Sequence, residues 1–136
     1  MNNELNPPTG FEVMADFNRL YSAYLESRKG KRWKCAVVRF EVNVLENIMF
    51  LHFMLTKHKY RPSPYNYFLV HEPKERLIMY NGFRDKIIQH SLCDNVLGPL
   101  LSKTFIYDNY ASQKGKGTHF GLDRLKSFMQ RYYRQF

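Results

Sequence analysis

Cysteine is scarce in this chain. There are two among 136 residues, Cys35 and Cys93, far apart and outside any metal-ligand spacing. That excludes a disulfide-stapled scaffold and gives no reason to expect a zinc module. Each thiol sits in an apolar stretch, which predicts buried, unpaired cysteines in a reducing cytoplasm. The five histidines (52, 58, 71, 90 and 119) are scattered, and His52 and His58, six apart, do not share a helix face. No metal ligand set is expected. Long apolar runs are also missing, because Arg39, Glu41, Asn43, Glu46 and His52 interrupt the most hydrophobic region. No membrane span is therefore read, and no membrane partner is expected. The first eight residues carry no basic stretch ahead of an apolar one, so no signal peptide is read either.

What the chain does have is apolar and aromatic mass. Hydrophobic residues make up 44% and aromatics 16%, with eleven Phe and ten Tyr, which predicts one packed domain rather than a disordered tail. Acidic residues are few, 12 against 21 lysines and arginines. Residues 1–27 hold one basic residue, Arg19, against four acidic ones (Glu4, Glu12, Asp16, Glu26), a balance of −3. The rest therefore carries +12 of the chain's net +9. A body so basic favours phosphate-rich partners through counterion release, the alternative being a solvated surface with no specific partner.

Along the chain, residues 1–8 read as a loose tail. Thr9-Gly-Phe-Glu12 fits a capping box that opens a helix over about 11–28. Phe11, Met14, Phe17 (or Asn18), Tyr21 and Leu25 recur there at helical spacing. A second, longer helix is predicted over about 33–57, with a short strand as the alternative at its β-branched start. Val37, Val44, Ile48, Leu51 and Leu55 form its stripe, and Val38, Val42, Leu45, Met49 and Phe53 widen it enough to imply contact on two sides. Pro62 and Pro64 force an extended exit. Runs at about 66–71 and 76–81, joined by Glu72-Pro73-Lys74-Glu75, predict an antiparallel hairpin. A helix over about 84–97 should end at Gly98-Pro99, followed by mostly loop over 104–117. A last helix over about 118–134 puts Leu125, Phe128, Met129 and Tyr132 on one face. The fold class is α+β, helices packed around an antiparallel β-hairpin.

No catalytic constellation emerges. His90, Ser91 and Cys93 are neighbours without an orienting third group, and read better as a half-buried histidine beside a core cysteine. Gly115-Lys116-Gly117-Thr118 lacks the P-loop spacing, and Tyr107-Asp108-Asn109 lacks the adjacent second aspartate of a polymerase metal site. Two phosphate-binding candidates remain. Lys74 and Arg76 flank a tight turn, so an ammonium and a guanidinium can project together; the alternative is that they protect an exposed strand edge. Lys114 and Lys116 precede a helix opening near Thr118, with Gly115 and Gly117 permitting close backbone approach; the alternative is a plain loop with a threonine cap. Tyr60, Tyr65, Tyr67, Tyr80, Tyr107 and Tyr110 lie among the cations, as stacking rings or as core and rim residues.

Several pieces in order then resemble one family. They are Lys31-Arg32-Trp33, the Tyr60-x-x-x-Pro64-Tyr65-x-x-Phe68 approach, Glu72-Pro73-Lys74-x-Arg76-Leu77-Ile78 and Phe83-Arg84-Asp85-x-Ile87-Ile88-Gln89-His90. Tyr110-Ala111 and Lys116-Gly117-Thr118-His119 follow. Together they resemble the fingers region of bacterial retroelement reverse transcriptases, of the diversity-generating, group II intron and retron kinds. The resemblance divides the chain into a tail and helix over 1–30 and a fingers-like portion over 31–136. It implies that Lys74 and Arg76 grip the incoming nucleoside triphosphate, and that Arg84, Lys114, Lys116, Gly117, Thr118 and His119 face template and primer. It implies an RNA template, a DNA or RNA primer and dNTP as partners of a complete cytoplasmic enzyme, and self-association through a palm-facing surface. Asp85 would cap a helix or pair with a basic neighbour. The family's metal-binding aspartates have no counterpart in these 136 residues. No catalytic residue and no cofactor is thus assigned here, magnesium belonging to the complete enzyme. The alternative is a stand-alone basic RNA-binding or protein-interaction module without catalysis.

Overall fold

The computed structural model describes residues 9–111, 113 and 115–135, and divides into two units, one up to Leu100 and one from Leu101. Residues 10–28 belong to the first unit, where they pack on the helix that follows the hairpin.

The first unit opens with α1 (Gly10–Ala15) and α2 (Phe17–Arg28), two helices where periodicity predicts one. The capping box is present: the Glu12 amide donates to Thr9 Oγ1 at 3.3 Å, and the Thr9 amide to Glu12 Oε2 at 2.8 Å. Asp16 causes the break. Its backbone is extended, and its carboxylate accepts the Asn18 and Arg19 amides at 3.0 and 3.1 Å, restarting the helix. So short an α1 leaves carbonyls unpaired at its end. Ser91 Oγ donates to the Met14 carbonyl at 2.8 Å, and His52 Nδ1 bonds the Ala15 carbonyl at the same distance.

The second predicted helix is also broken, into α3 (Cys35–Val42) and α4 (Val44–Thr56). Asn43 leaves helical geometry there. The Asn47 side chain donates to the Phe40 carbonyl at 3.1 Å, replacing one bond lost at the break. After the prolines come β1 (Asn66–Val70) and β2 (Arg76–Tyr80), antiparallel, with Phe68 opposite Ile78 and Val70 opposite Arg76. The predicted hairpin is therefore present, its strands each a residue shorter. α5 (Phe83–Leu92) continues through a π-turn at Cys93–Leu97 into α6 (Gly98–Ser102), so Gly98-Pro99 does not end the helix. The Gly98 amide reaches back to the Cys93 carbonyl, five residues away, and a side chain at Gly98 would stand 2.8 Å from that oxygen. The widened turn lets the chain run on into a proline that a regular helix interior would reject.

The core of this unit lies where α1, α2, α4 and α5 meet. Leu20, Ile48, Leu51 and Ile87 are fully buried, and the rings of Tyr24, Phe40 and Phe83 interlock with centroids 5.3 to 6.4 Å apart. One stripe of α3–α4 supplies Val37, Ile48, Leu51 and Leu55 as expected. The widening set does not follow: Val38, Val42, Leu45, Met49 and Phe53 are exposed within this chain. Cys35 and Cys93 are exposed too, against expectation. Each lies at a helix boundary: Val37 and Phe40 of α3 are buried instead of Cys35, and Leu92 and Val96 near Cys93 are partly buried against the core. His90 is half-buried, as read, but the Cys93 beside it is no core residue.

The second unit holds α7 (Thr118–Gln135), with the preceding loop folded on it. Arg124 makes a two-pronged pair with Asp108, and Gly121 meets the Tyr110 ring so closely that a Cβ would lie 2.8 Å from it. No described residue of this unit is buried, and Leu125, Phe128, Met129 and Tyr132 stand exposed on α7. The fold class is α+β with a two-stranded antiparallel sheet.

Candidate nucleic-acid interface

Among the described residues the hairpin pairs only within itself, and its two faces carry rings and aliphatics that stay exposed: Tyr67, Leu69, Leu77 and Met79 on one, Phe68 and Tyr80 on the other. Phe68 and Tyr80 meet edge to face at 5.8 Å. At the end of this arm, Lys74 sits in the connection and Arg76 is the first residue of β2, both exposed. Among the described residues neither cation has an ion-pair partner. An ammonium and a guanidinium within three residues of one tip can meet a polyphosphate as point charge and as fork.

The base of the hairpin is fastened by Asp85. This carboxylate is buried in α5, accepts the Tyr60 hydroxyl, and takes the Ser63 amide at 3.2 Å. Among the described residues it makes no cap bond to α5 and no ion pair; its hydrogen bonds go to Tyr60 and Ser63 instead. Burial, and then the Asp85 charge, push the Tyr60 phenol well above its ordinary range. Tyr60 is thus a structural strut, while Tyr65, Tyr67 and Tyr80 keep their rings open. Arg84, next to Asp85, is exposed and lines an open groove with Arg39 of α3.

A third polar centre stabilises α2 on α3. Glu41 accepts the Tyr24 hydroxyl at 3.0 Å and Arg28 at 2.9 Å, and Arg32 stands 3.5 Å away. The Arg28 hydrogen bond holds the Glu41 carboxyl below its usual range, and burial raises the Tyr24 phenol.

In the second unit the candidates separate. Lys114 lies outside the described residues. Lys116 turns inward: its ammonium donates to the Tyr107 carbonyl and lies 4.6 and 5.1 Å from the Tyr107 and Phe120 ring centres. Thr118 is the first helical residue rather than the cap, and the Gly117 carbonyl accepts the Gly121 amide at 3.1 Å in the cap's place. His119 is exposed in the first turn of α7. Tyr107 holds Lys116 and Arg124 against its ring, and Arg124 keeps the Asp108 carboxyl below its usual range.

Sequence reasoning missed one association. His52 and His58 do line a single hollow of about 430 Å³ with Glu12 and Asp16, because α4 ends at Thr56 and the backbone at His58 turns left-handed. His52 is already bonded to Ala15 and His58 stacks on Phe11 at 4.9 Å. Among the described residues no group of His, Cys, Asp and Glu could hold a metal ion, and no helix is long and apolar enough to cross a membrane.

Compared with known proteins, the chain matches no family model, and no curated protein matches it significantly.

Proposed function

We propose that this chain is the nucleotide- and nucleic-acid-gripping, fingers-like portion of an RNA-directed DNA polymerase. The observation that carries the reading is the hairpin arm, with Lys74 and Arg76 unpaired and exposed at its tip and Asp85 fastening its base. A rigid base under a charged, open end suits a device that closes over a triphosphate. Arg84 and the open rings of Tyr65 and Tyr80 support contact with a template–primer. Within these 136 residues the contribution is binding, and magnesium would act with carboxylates that this sequence does not supply.

Ultraviolet crosslinking with an azido-substituted deoxynucleoside triphosphate in the presence of primer–template tests this reading. Label should map to the peptide holding Lys74 and Arg76, and should vanish in the Lys74→Gln/Arg76→Gln variant. Label elsewhere, or undiminished in that variant, contradicts it.

Lys116 favours a second reading, a stand-alone basic RNA-binding or protein-interaction module without catalysis. The cation expected on the nucleic-acid backbone is instead engaged with Tyr107 and Phe120. That module would bind RNA and leave the hairpin unlabelled by triphosphate.

A further inference from the structure

Away from the hairpin tip, five cations gather at the junction of α3 and α5. Lys31 and Lys34 belong to the turn ahead of α3, where the Lys34 amide bonds the Lys31 carbonyl at 3.0 Å. Lys86 rises from the start of α5, half-buried, 5.9 Å from the centre of the Tyr80 ring. Its partial burial, and then the charges of Lys31 and Lys34, hold its ammonium below the usual lysine range. Arg39 and Arg84, on the same two helices, are walls of an open groove of about 640 Å³.

Among the described residues none of these five cations has a carboxylate in ion-pair reach, and none of the residues lining the groove is acidic. The carboxylate that α3 does carry, Glu41, is taken by Arg28, Arg32 and the Tyr24 hydroxyl. Three crowded ammonium groups, one of them partly desolvated, oppose one another until an anion arrives. A simple solvated basic face would spread its lysines and bury none.

Exposed rings accompany the charges. Tyr65, 57% exposed, lines the same groove, and Trp33, 78% exposed, carries the Lys34 ammonium 5.4 Å from its ring centre. Rings beside a cationic track suit unstacked bases, whereas a duplex hides its base faces.

We infer that the α3–α5 junction binds the phosphodiester backbone of a single-stranded nucleic acid, with Lys31, Lys34 and Lys86 on phosphates, Arg39 and Arg84 along the groove, and Tyr65 stacking on a base. The site extends the contact given to Arg84 above and does not depend on the hairpin tip.

Fluorescence anisotropy with a labelled single strand of about 20 nucleotides, as RNA and as DNA, tests the assignment across a salt series. The two strands distinguish which backbone the site prefers. Lys31 and Lys34 are exposed, so Lys31→Gln/Lys34→Gln should fold normally, which circular dichroism checks. That variant should bind about tenfold or more weakly at low salt, with a log–log salt slope shallower by about 1.4, two phosphate contacts at roughly 0.7 each. Tyr65→Ala should lose about fivefold or more at every salt concentration. The Lys74→Gln/Arg76→Gln variant should bind the strand as the parent does.

Parent-like affinity and slope in Lys31→Gln/Lys34→Gln overturns the inference while leaving the hairpin reading standing. So does blunt duplex binding as tightly as single strand, or the hairpin variant losing as much as the junction variant. No binding by the parent chain at about 50 mM salt overturns both the junction site and the nucleic-acid part of the proposed function.

Discussion

The two units of this chain are stabilised by different means. The first closes over fully buried aliphatics, Leu20, Ile48, Leu51 and Ile87, and satisfies its helix breaks with Asp16, Asn47, Ser91 and His52. The second has no buried residue among those described. It fixes its loop to α7 by an arginine–aspartate fork, a lysine between two rings, and a tyrosine against a glycine. Apolar burial is nearly indifferent to salt and pH, whereas paired charges are not. The first unit should therefore behave as a cooperative core, and the second as a surface whose order depends on conditions.

The sharpest way to break this contrast is matched truncation. Leu51→Ala should cost about 2–5 kcal/mol in urea unfolding, as expected for a cavity in a packed core. Leu125→Ala, on an exposed face of α7, should stay within about 0.5 kcal/mol. Equal losses would mean that the second unit is packed as tightly as the first. A smaller loss is expected at the hairpin base. Asp85→Ala strands the Tyr60 hydroxyl and the Ser63 amide and should cost about 1–3 kcal/mol, with hydrogen exchange quickening at Ser63. Unchanged exchange there would show that Asp85 does not fasten the arm.

Acid should separate the units next. The Asp108 carboxyl is held below its usual range by Arg124, so its contribution is fully present above the unfolded value near pH 4 and is lost as pH falls through the lower folded value. Amide exchange in 106–111 should accelerate below about pH 4 while the α2–α5 core stays protected. Simultaneous loss would contradict the division. The smallest effect belongs to Lys74→Gln/Arg76→Gln. Stability should move by less than about 0.5 kcal/mol, since both residues are exposed, even as triphosphate labelling disappears.

How much of this was legible in the sequence depended on whether local chemistry or tertiary contact decided the outcome. The capping box at Thr9, the hairpin with Lys74 and Arg76 at its tip, and the inner stripe of α4 follow from residue identities and spacing alone. The breaks at Asp16 and Asn43 were written in residues that favour caps over helix interiors, but longer apolar periodicity masked them. The continuation through Pro99 depended on a π-turn that no periodicity announces. Asp85 looked like a cap or an ion-pair partner because its true partners, Tyr60 and Ser63, are more than twenty residues distant. Lys116 looked free because the rings that hold it belong to a loop and to a helix turn the sequence does not bring together. The Lys31, Lys34 and Lys86 cluster was invisible for the same reason.

The most direct measurement is the affinity of the 136-residue chain for a primer–template as a function of salt. A chain that grips nucleic acid through Lys31, Lys34, Arg39, Arg84 and Lys86 should show log affinity falling steeply and linearly with log salt. The expected slope is about −3 or steeper, at roughly 0.7–0.9 per phosphate contact. A slope near zero, or no binding at low salt, would contradict it.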